Sequence, residues 1–374
     1  MQTTTPLDVV VIGAGQAGLA IGWHLQQQGA SFAILDGAPE LGHSWRTRWD
    51  SLRLFTPGRF DALPGTPFPG DPDHYPSKDE VADYLRDYAA AHQLPVQLGM
   101  PVSRLARSGD RFVVETPQAA FDAAQVVVAT GAFQVPVVPD VAAGLGAGVT
   151  QVHSSAYRNP SQVPAGPVLV VGAGNSGLQI AQELAATNPV TVAVGAKPRT
   201  LPQRFLGRDI FWWLTRTGMV TRPADSLLAR RVRARGELVI GTRLEDLRRS
   251  GVEFCGRVVS ASGEVVATAD GRTLRPASVV WATGFRSDWS WIDVAGFTTD
   301  GGVTHERGVT AVPGLYFLGL PWQHSRGSAL LGFVKEDAEF VADQLAVRAK
   351  GPRAGSRRRT VVPATRVRPD LASR

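Results

Sequence analysis

With 374 residues, 44% of them apolar, the chain is long enough to bury two cores, and its formal charge is +6, from 39 Lys and Arg against 33 Asp and Glu. No apolar run approaches the roughly 18 residues of a membrane span, and the opening MQTTTPLD lacks a basic-then-apolar leader, so a cytoplasmic protein is expected. Cys255 is the only cysteine and the histidines are scattered, which excludes an internal disulfide framework, a Cys-x-x-Cys pair and a metal cluster.

Leu7 to Asp36 reads as an apolar strand (Val9–Ile12), a glycine turn, a helix and, after Gly29, a second apolar strand ending on an acid. Gly13, Gly15 and Gly18 fill the slots of G-x-G-x-x-G. The first allows a sharp turn, the second lets a pyrophosphate approach the backbone, and the third lets helix pack on strand. The helix's free N–H groups and its dipole then face the phosphates. Asp36 falls where a carboxylate can bond both ribose hydroxyls. A glycine turn that binds nothing is the alternative, and the strand, helix and acid together argue against it.

Residues 37–76 are rich in Gly, Pro and aromatics, a long loop of the kind that usually serves function. Ser77–His92 carries a helical stripe of Val81, Tyr84, Leu85, Tyr88 and Ala89, with Ser77 and Glu80 placed as a capping box. Short strands are expected at Val96–Leu98, Arg111–Glu115 and Gln125–Ala129, the last running into Thr130-Gly131. Gln134–Gly166 is Pro/Gly-rich and reads as the connector between domains.

The opening pattern then returns: strand Val168–Val171, turn Gly172-Ala173-Gly174-Asn175-Ser176-Gly177, helix Leu178–Ala186, strand Val190–Val194. This internal repeat implies two nucleotides, each on its own domain. The copies differ after the second strand. The first ends on Asp36; the second runs into Gly195-Ala196-Lys197-Pro198-Arg199, with no acid and two cations. A carboxylate would repel a 2′-phosphate, whereas Lys197 or Arg199 would pair with one, so NADPH is expected there rather than NADH. Plain surface cations are the other reading.

Pro202–Arg249 reads as an arginine-rich helical insertion whose Phe211-Trp212-Trp213-Leu214 suits a buried helix–domain contact, a pocket wall or a partner surface. With no nucleic-acid fold signature beside it, the basic balance reads as a solvated face, a tail and a cofactor-phosphate site, not as nucleic-acid binding. Val279–Phe285 repeats the earlier Ala-Thr-Gly, a small turn that lets backbone pass close to another element or a ligand. Pro313–Leu320 reads as a strand. A helix follows over Gly332–Val347, with Val334, Ala338, Val341, Ala342 and Leu345 on one face, and it is expected to complete the first domain.

These features resemble the two-dinucleotide-binding flavoproteins. Within them, GAGNSGLQIA (Gly172–Ala181), HSSAY (His153–Tyr157), YPSKDE (Tyr75–Glu80) and PGLYFLGLPWQHSRGSALLG (Pro313–Gly332) are similar to the flavin-containing monooxygenases, above all their short bacterial CzcO-like and ArsO-like branch. The resemblance runs from Leu7 to about Leu345. It implies an α/β fold of two Rossmann-like domains: a discontinuous FAD domain, 1–150 with 305–350, and an inserted NADPH domain, 160–300. Residues 351–374 would form a disordered basic tail.

The resemblance further implies that Gly13, Gly15, Gly18 and Asp36 hold the ADP half of FAD. Ser44 and Trp45 would lie beside the flavin, and Gly319, Leu331 and Gly332 near its ribityl and pyrimidine end. NADPH would lie on Gly172, Gly174, Asn175, Ser176, Gly177 and Arg199, with Lys197 as the neighbouring cation. His153 and Tyr157 would mark the domain hinge, His153 orienting NADPH rather than acting as a base. Arg53, Gln203 and Arg204 are candidates to touch the nicotinamide end. The family fingerprint F-x-G-x-x-x-H-x-x-x-F/Y/W, aligned on His153 and Tyr157, meets Ala147 and Val149 at its Phe and Gly positions.

The implied reaction is oxygenation of a small soft nucleophile or ketone by O₂ through a C4a-(hydro)peroxyflavin. The chemistry would reside on the cofactor, in keeping with the absence of a triad or carboxylate pair in the sequence. Two alternatives stay open: an NADPH-dependent reductase or oxidase without oxygen insertion, and a redox-sensing flavoprotein acting on a partner. The oligomeric state is left open.

Overall fold

Short runs of Val, Ile, Leu and Ala, buried on both faces, are what parallel strands covered by helices require, and they organise this chain. The computed structural model describes residues 6–234, 236, 238–298 and 302–351; residues 352–374, nearly all of the expected tail, lie outside the described residues. The early parallel strands are β1 (Leu7–Ile12), β2 (Phe32–Leu35), β3 (Val96–Gln97) and β4 (Ala120–Val128). Then come β5 (Thr150–His153), β6 (Val168–Val171), β7 (Val190–Ala193), β8 (Glu253–Cys255), β9 (Ser278–Trp281) and β10 (Leu315–Phe317).

The first sheet has a parallel core in the order β3-β2-β1-β4-β10, and the second runs β8-β7-β6-β9-β5. The two orders match strand for strand, β1 with β6, β2 with β7, β4 with β9. The repeat seen in the glycine motifs therefore extends over whole sheets. The second sheet interrupts the first between β4 and β10, so the architecture is two Rossmann-like units, one discontinuous and one inserted.

Several boundaries differ from the expected ones. Arg104–Ser108, not expected as a strand, forms an antiparallel hairpin with Arg111–Glu115, which continues onto the start of β4. Its RLARS composition hides it, and Gly109 turns it at φ 60°. Thr150–His153, assigned to the connector, is an edge strand of the second sheet, while Ile292–Asp293 pairs with Leu105–Ala106 in the first. The second sheet thus begins before residue 160, and the chain rejoins the first sheet before residue 300.

The helices α1 (Gln16–Gln27), α2 (Lys78–Ala91), α3 (Asn175–Leu184) and α4 (Val334–Ala349) cover the sheets. The Ser77–Glu80 capping box forms in full. All five stripe residues of α2 and all five of α4 are buried. The arginine-rich insertion is mixed rather than helical. Arg199–Leu201 pairs in parallel with Leu238–Ile240, and Arg204–Phe205 forms a hairpin with Arg208–Asp209. Three short helices follow the hairpin or flank it, Ile210–Arg216, Leu227–Ala234 and Leu244–Arg249.

Phe211, 1% exposed, docks this insertion on the first unit by joining Phe55, Phe60 and Phe333 in one ring cluster, with centroids 5.8–6.3 Å apart. Trp212 and Trp213 are only half-buried, so the expected buried contact is made by Phe211 and not by the whole run. Close to this cluster Asp61 is 1% exposed. Its Oδ1 accepts the Thr56 hydroxyl at 2.6 Å, and its buried Oδ2 has no partner. Burial pushes this carboxyl up to about 7, against the lowering effect of Thr56 and with a further push from Asp209.

A carboxyl raised in the folded state stabilises fully below its unfolded value near 3.8, and that contribution is lost as pH rises through about 7. Asp61→Asn is therefore expected to flatten the stability–pH curve. The difference between wild type and variant, which cancels the histidines, should move against wild type by on the order of 3 kcal/mol between pH 4 and pH 8. Urea unfolding across that range measures it, and a constant difference would refute the assignment.

Candidate functional site

At the C-terminal ends of β1 and β6 the chain makes the same turn twice. Gly13 has φ 108° and Gly172 φ 112°. A Cβ on Gly13 would lie 2.6 Å from the Ala129 carbonyl oxygen, and one on Gly172 would lie 2.3 Å from that of Ala282. The two Ala-Thr-Gly segments are therefore the backbones that press on the glycine turns. Gly18 and Gly177 each sit against the carbonyl of the first glycine, at 1.8 and 2.0 Å from a would-be Cβ. Only Gly15 and Gly174 face open space, with nothing within 4 Å. That open side, at the N-terminus of α1 and of α3, fits a pyrophosphate approaching backbone N–H groups.

Beside the first turn, the Asp36 carboxylate accepts the N–H of Ala14 at 2.6 Å and of Ala38 at 2.8 Å. It is thereby fixed at the edge of the turn with lone pairs to spare for ribose hydroxyls. Gly319, at φ 82°, passes over the first turn of α1, its would-be Cβ 2.9 Å from Ala17. Gly332 is in backbone contact with Phe60 and Ala62, 2.1 and 2.9 Å from a would-be Cβ. Leu331 is 4% exposed and packed into the first core, so its backbone and not its side chain is available to a cofactor. Ser44 is exposed on the short helix His43–Arg46, and Trp45 is half-buried against the same core.

Beside the second turn, Lys197 is exposed and Arg199 half-buried, with its Nη1 buried and unpartnered. A guanidinium donor without a protein partner at this place fits a phosphate oxygen. Ser176 lies in the first turn of α3. The Asn175 side chain is engaged with the insertion: Nδ2 donates to Leu238 O at 3.3 Å and Oδ1 accepts from Ile240 N at 3.1 Å. Its side chain braces the insertion strand, and its backbone starts α3.

The two chain crossings between units are stitched together. Val135–Pro136 pairs antiparallel with Phe285–Arg286, and Gln134 accepts from Asp288 N while donating to Gly131 O. His153 Nε2 donates to Gly284 O at 3.1 Å, and Nδ1 accepts from Ser155 N and its hydroxyl. Burial lowers its pKa, opposed by the Gly284 carbonyl. Both imidazole nitrogens are thus engaged within the crossing. The Tyr157 hydroxyl, buried, donates to Glu183 at 2.7 Å. Arg48, not singled out from sequence, lies over the rings of Phe133 and Phe285 at 5.0 and 5.6 Å. The signal for it was present: an aromatic closely follows each Ala-Thr-Gly.

A cavity of about 450 Å³ lies between the units, with Trp49, Arg53, Phe55 and Tyr75 on one side and Gln179, Glu183, Gln203 and Ile240 on the other. Arg53 Nη1 donates to Tyr75 O at 3.2 Å. Gln203 Nε2 donates to Phe55 O at 2.9 Å and to Asp209 Oδ2 at 2.8 Å, and the Tyr75 hydroxyl donates to the same oxygen at 2.6 Å. Burial, then Asp209, pushes the Tyr75 phenol up to about 12, so it keeps its proton. Arg53 and Gln203 thus line one cavity. Arg204 does not join them: its Nη2 donates to Gly207 O, and it lines a separate, smaller cavity. Asp209 was missed because the contact that joins it to the cavity, with Tyr75, spans 134 residues.

The sequence profile of the pyridine nucleotide-disulphide oxidoreductases matches residues 10–204. The CzcO-like oxidoreductase of Geobacillus kaustophilus is 46% identical over 341 residues, covering 91% of this chain and 98% of its own. The probable indole-3-pyruvate monooxygenase YUCCA3 of Arabidopsis thaliana is 27% identical, covering 91% and 87%. Among solved structures, the flavin-containing monooxygenase from Stenotrophomonas maltophilia superposes with a TM-score of 0.78 at 28% identity, covering 92% of this chain and all of that one.

The crowding of the two glycines in one turn separates structure from binding. Gly172→Ala is expected to destabilise the protein by about 2–4 kcal/mol, through strain at positive φ and the clash with Ala282. Gly174→Ala should change unfolding stability by less than about 1 kcal/mol yet weaken dinucleotide binding at least tenfold. Thermal unfolding and NADPH calorimetry on the two variants measure this; equal loss of stability in both would refute it.

Proposed function

The chain belongs to the pyridine nucleotide-disulphide oxidoreductase family, in its CzcO-like, flavin-monooxygenase-type branch, and from that premise we propose that it is an FAD-containing, NADPH-dependent monooxygenase of small molecules. The observation that carries the reading is the pair of matched glycine turns, one edged by Asp36 and the other by the unsatisfied guanidinium of Arg199.

In this reading the N–H groups at the start of α1 hold the FAD pyrophosphate beside Gly13, Gly15 and Gly18, and Asp36 accepts from the adenosine ribose. Ser44, Trp45, Gly319 and the backbone of Leu331-Gly332 line the remainder. Gly172, Gly174, Ser176 and Gly177 hold NADPH, with Arg199 and Lys197 on the 2′-phosphate. Bound FAD would supply the redox chemistry, a transfer of electrons from NADPH to O₂. The balance is substrate, O₂, NADPH and a proton giving oxygenated product, water and NADP⁺.

The chain's own part is positioning and dryness. His153 holds the crossing against Gly284, and Trp49, Phe55 and Tyr75 wall the cavity in which the substrate sits. Tyr75 holds its proton on Asp209 and offers no base, which suits chemistry done by the cofactor. A ketone or soft nucleophile of modest size fits the cavity. The guanidinium edge of Arg53 makes carboxylate-bearing ketones such as 2-oxo acids the first to try. A second reading, reductase or oxidase turnover without oxygen insertion, rests on Ala147 and on Val149, which is buried in the second unit's core where the fingerprint has glycine.

Turnover under ¹⁸O₂ with NADPH and a panel of 2-oxo acids, ketones, sulfides, amines and trivalent arsenicals separates the two. Label in a product with less peroxide than NADPH consumed supports oxygenation; peroxide equal to NADPH for every substrate refutes it. Arg199→Ala is expected to raise KM for NADPH about 10- to 100-fold, the worth of one charge-assisted phosphate contact, and to leave KM for NADH within about twofold. Equal effects on both would remove Arg199 from the 2′-phosphate.

A further inference from the structure

Behind the cavity between the units lies a second, smaller one of about 110 Å³, lined by Arg59, Arg204, Arg208, Asp209 and Trp212. The Tyr75–Asp209–Gln203 hydrogen bonds form the partition between the two. Its charges are unbalanced. Arg59 is paired with Asp73 at 2.6 Å. Asp209 has both oxygens occupied, Oδ2 by Tyr75 and Gln203 and Oδ1 by the N–H of Phe211 at 2.6 Å. Arg204 and Arg208 make no ion pair with any described residue.

The geometry is also suited to one kind of guest. The Arg208 guanidinium carbon lies over the Trp212 ring, 5.4 Å from its centroid, a cation–π contact that uses none of its N–H donors. Arg204 spends one N–H on Gly207 O at 2.9 Å and keeps the others. Two exposed guanidinium groups without an ion pair at one concavity match the paired oxygens of an oxyanion. The volume suits a phosphate or a single carboxylate and is too small for a nucleotide.

We propose that this pocket is a binding site for a small oxyanion, separate from both nucleotide turns and from the substrate cavity. Arg59 belongs to the loop of the first unit, whereas Arg204 and Arg208 belong to the inserted hairpin. A bound anion would therefore clamp the hairpin to the first unit from behind the partition.

The test is calorimetry on protein saturated with FAD and NADP⁺, so that both nucleotide phosphate sites are filled, at ionic strength held constant with sodium chloride. Inorganic phosphate and acetate are the two titrants, and they separate phosphate from carboxylate as the natural occupant. Saturable one-to-one binding of at least one is expected. It should weaken at least tenfold in Arg204→Gln and in Arg208→Gln, and stay within twofold in Arg216→Gln, an exposed arginine on the helix that follows the hairpin. Arg208→Lys keeps the charge without the fork, so a severalfold loss is expected there even if the glutamine variant fails to fold. Absence of saturable binding by either anion overturns the proposal. So does binding indifferent to Arg204 and Arg208, or phosphate binding lost in Arg199→Ala with Arg204→Gln intact.

Discussion

Backbone pressed directly on backbone is the constraint from which the remainder follows. The carbonyls of Ala129 and Ala282 lie where a side chain on Gly13 or Gly172 would be, and each sits at the end of the strand beside the turn's own strand. The contact fixes the height at which each helix begins, and so where its unpaired N–H groups point. A side chain on Gly13 or Gly172 would lift the neighbouring strand end away from the turn. The open faces at Gly15 and Gly174 exist because everything behind them is closed.

A second level of order ties the units to each other through polar groups that have been taken out of water. Asp209 is the centre of it. One carboxylate oxygen gathers a phenol from the first unit's loop and an amide from the insertion, and the other caps the helix that carries Phe211 into the first unit. Hydrogen bonds to a charged acceptor contribute about 1.5–3 kcal/mol each, and leaving such a group unmatched costs at least as much. The apolar ring cluster and the polar bolt are thus adjacent and mutually dependent. Asp61, close by with one oxygen unmatched, shows the reverse case, a group kept at the cost of its ordinary acidity.

What could be read from sequence was what the backbone or a helical period dictates. The glycine turns, the capping box of α2 and the buried stripes of α2 and α4 depend on residue types at fixed short spacing, and all were visible. Thr150–His153 was hidden by the prolines and glycines around it, and Arg104–Ser108 by its charges. The insertion read as helical because arginine, leucine and alanine favour helices, yet Asn175 holds part of it as a strand. Asp209, the Tyr75 phenol that bonds it, and Arg48 were not found that way. The Tyr75–Asp209 bond joins residues 134 apart, and Arg48 meets rings 85 and 237 residues away, so no local pattern records either contact.

The antiparallel pairing of Val135–Pro136 with Phe285–Arg286 has one more consequence. Where the chain leaves the first unit and where it comes back are hydrogen-bonded neighbours, so everything between them is a module whose two ends already touch. Such a module can be lifted out and replaced by its counterpart from a relative without opening the scaffold that receives it. Preference for one nicotinamide carrier over another could then be transplanted as a single cassette, while the flavin-side half kept its own history.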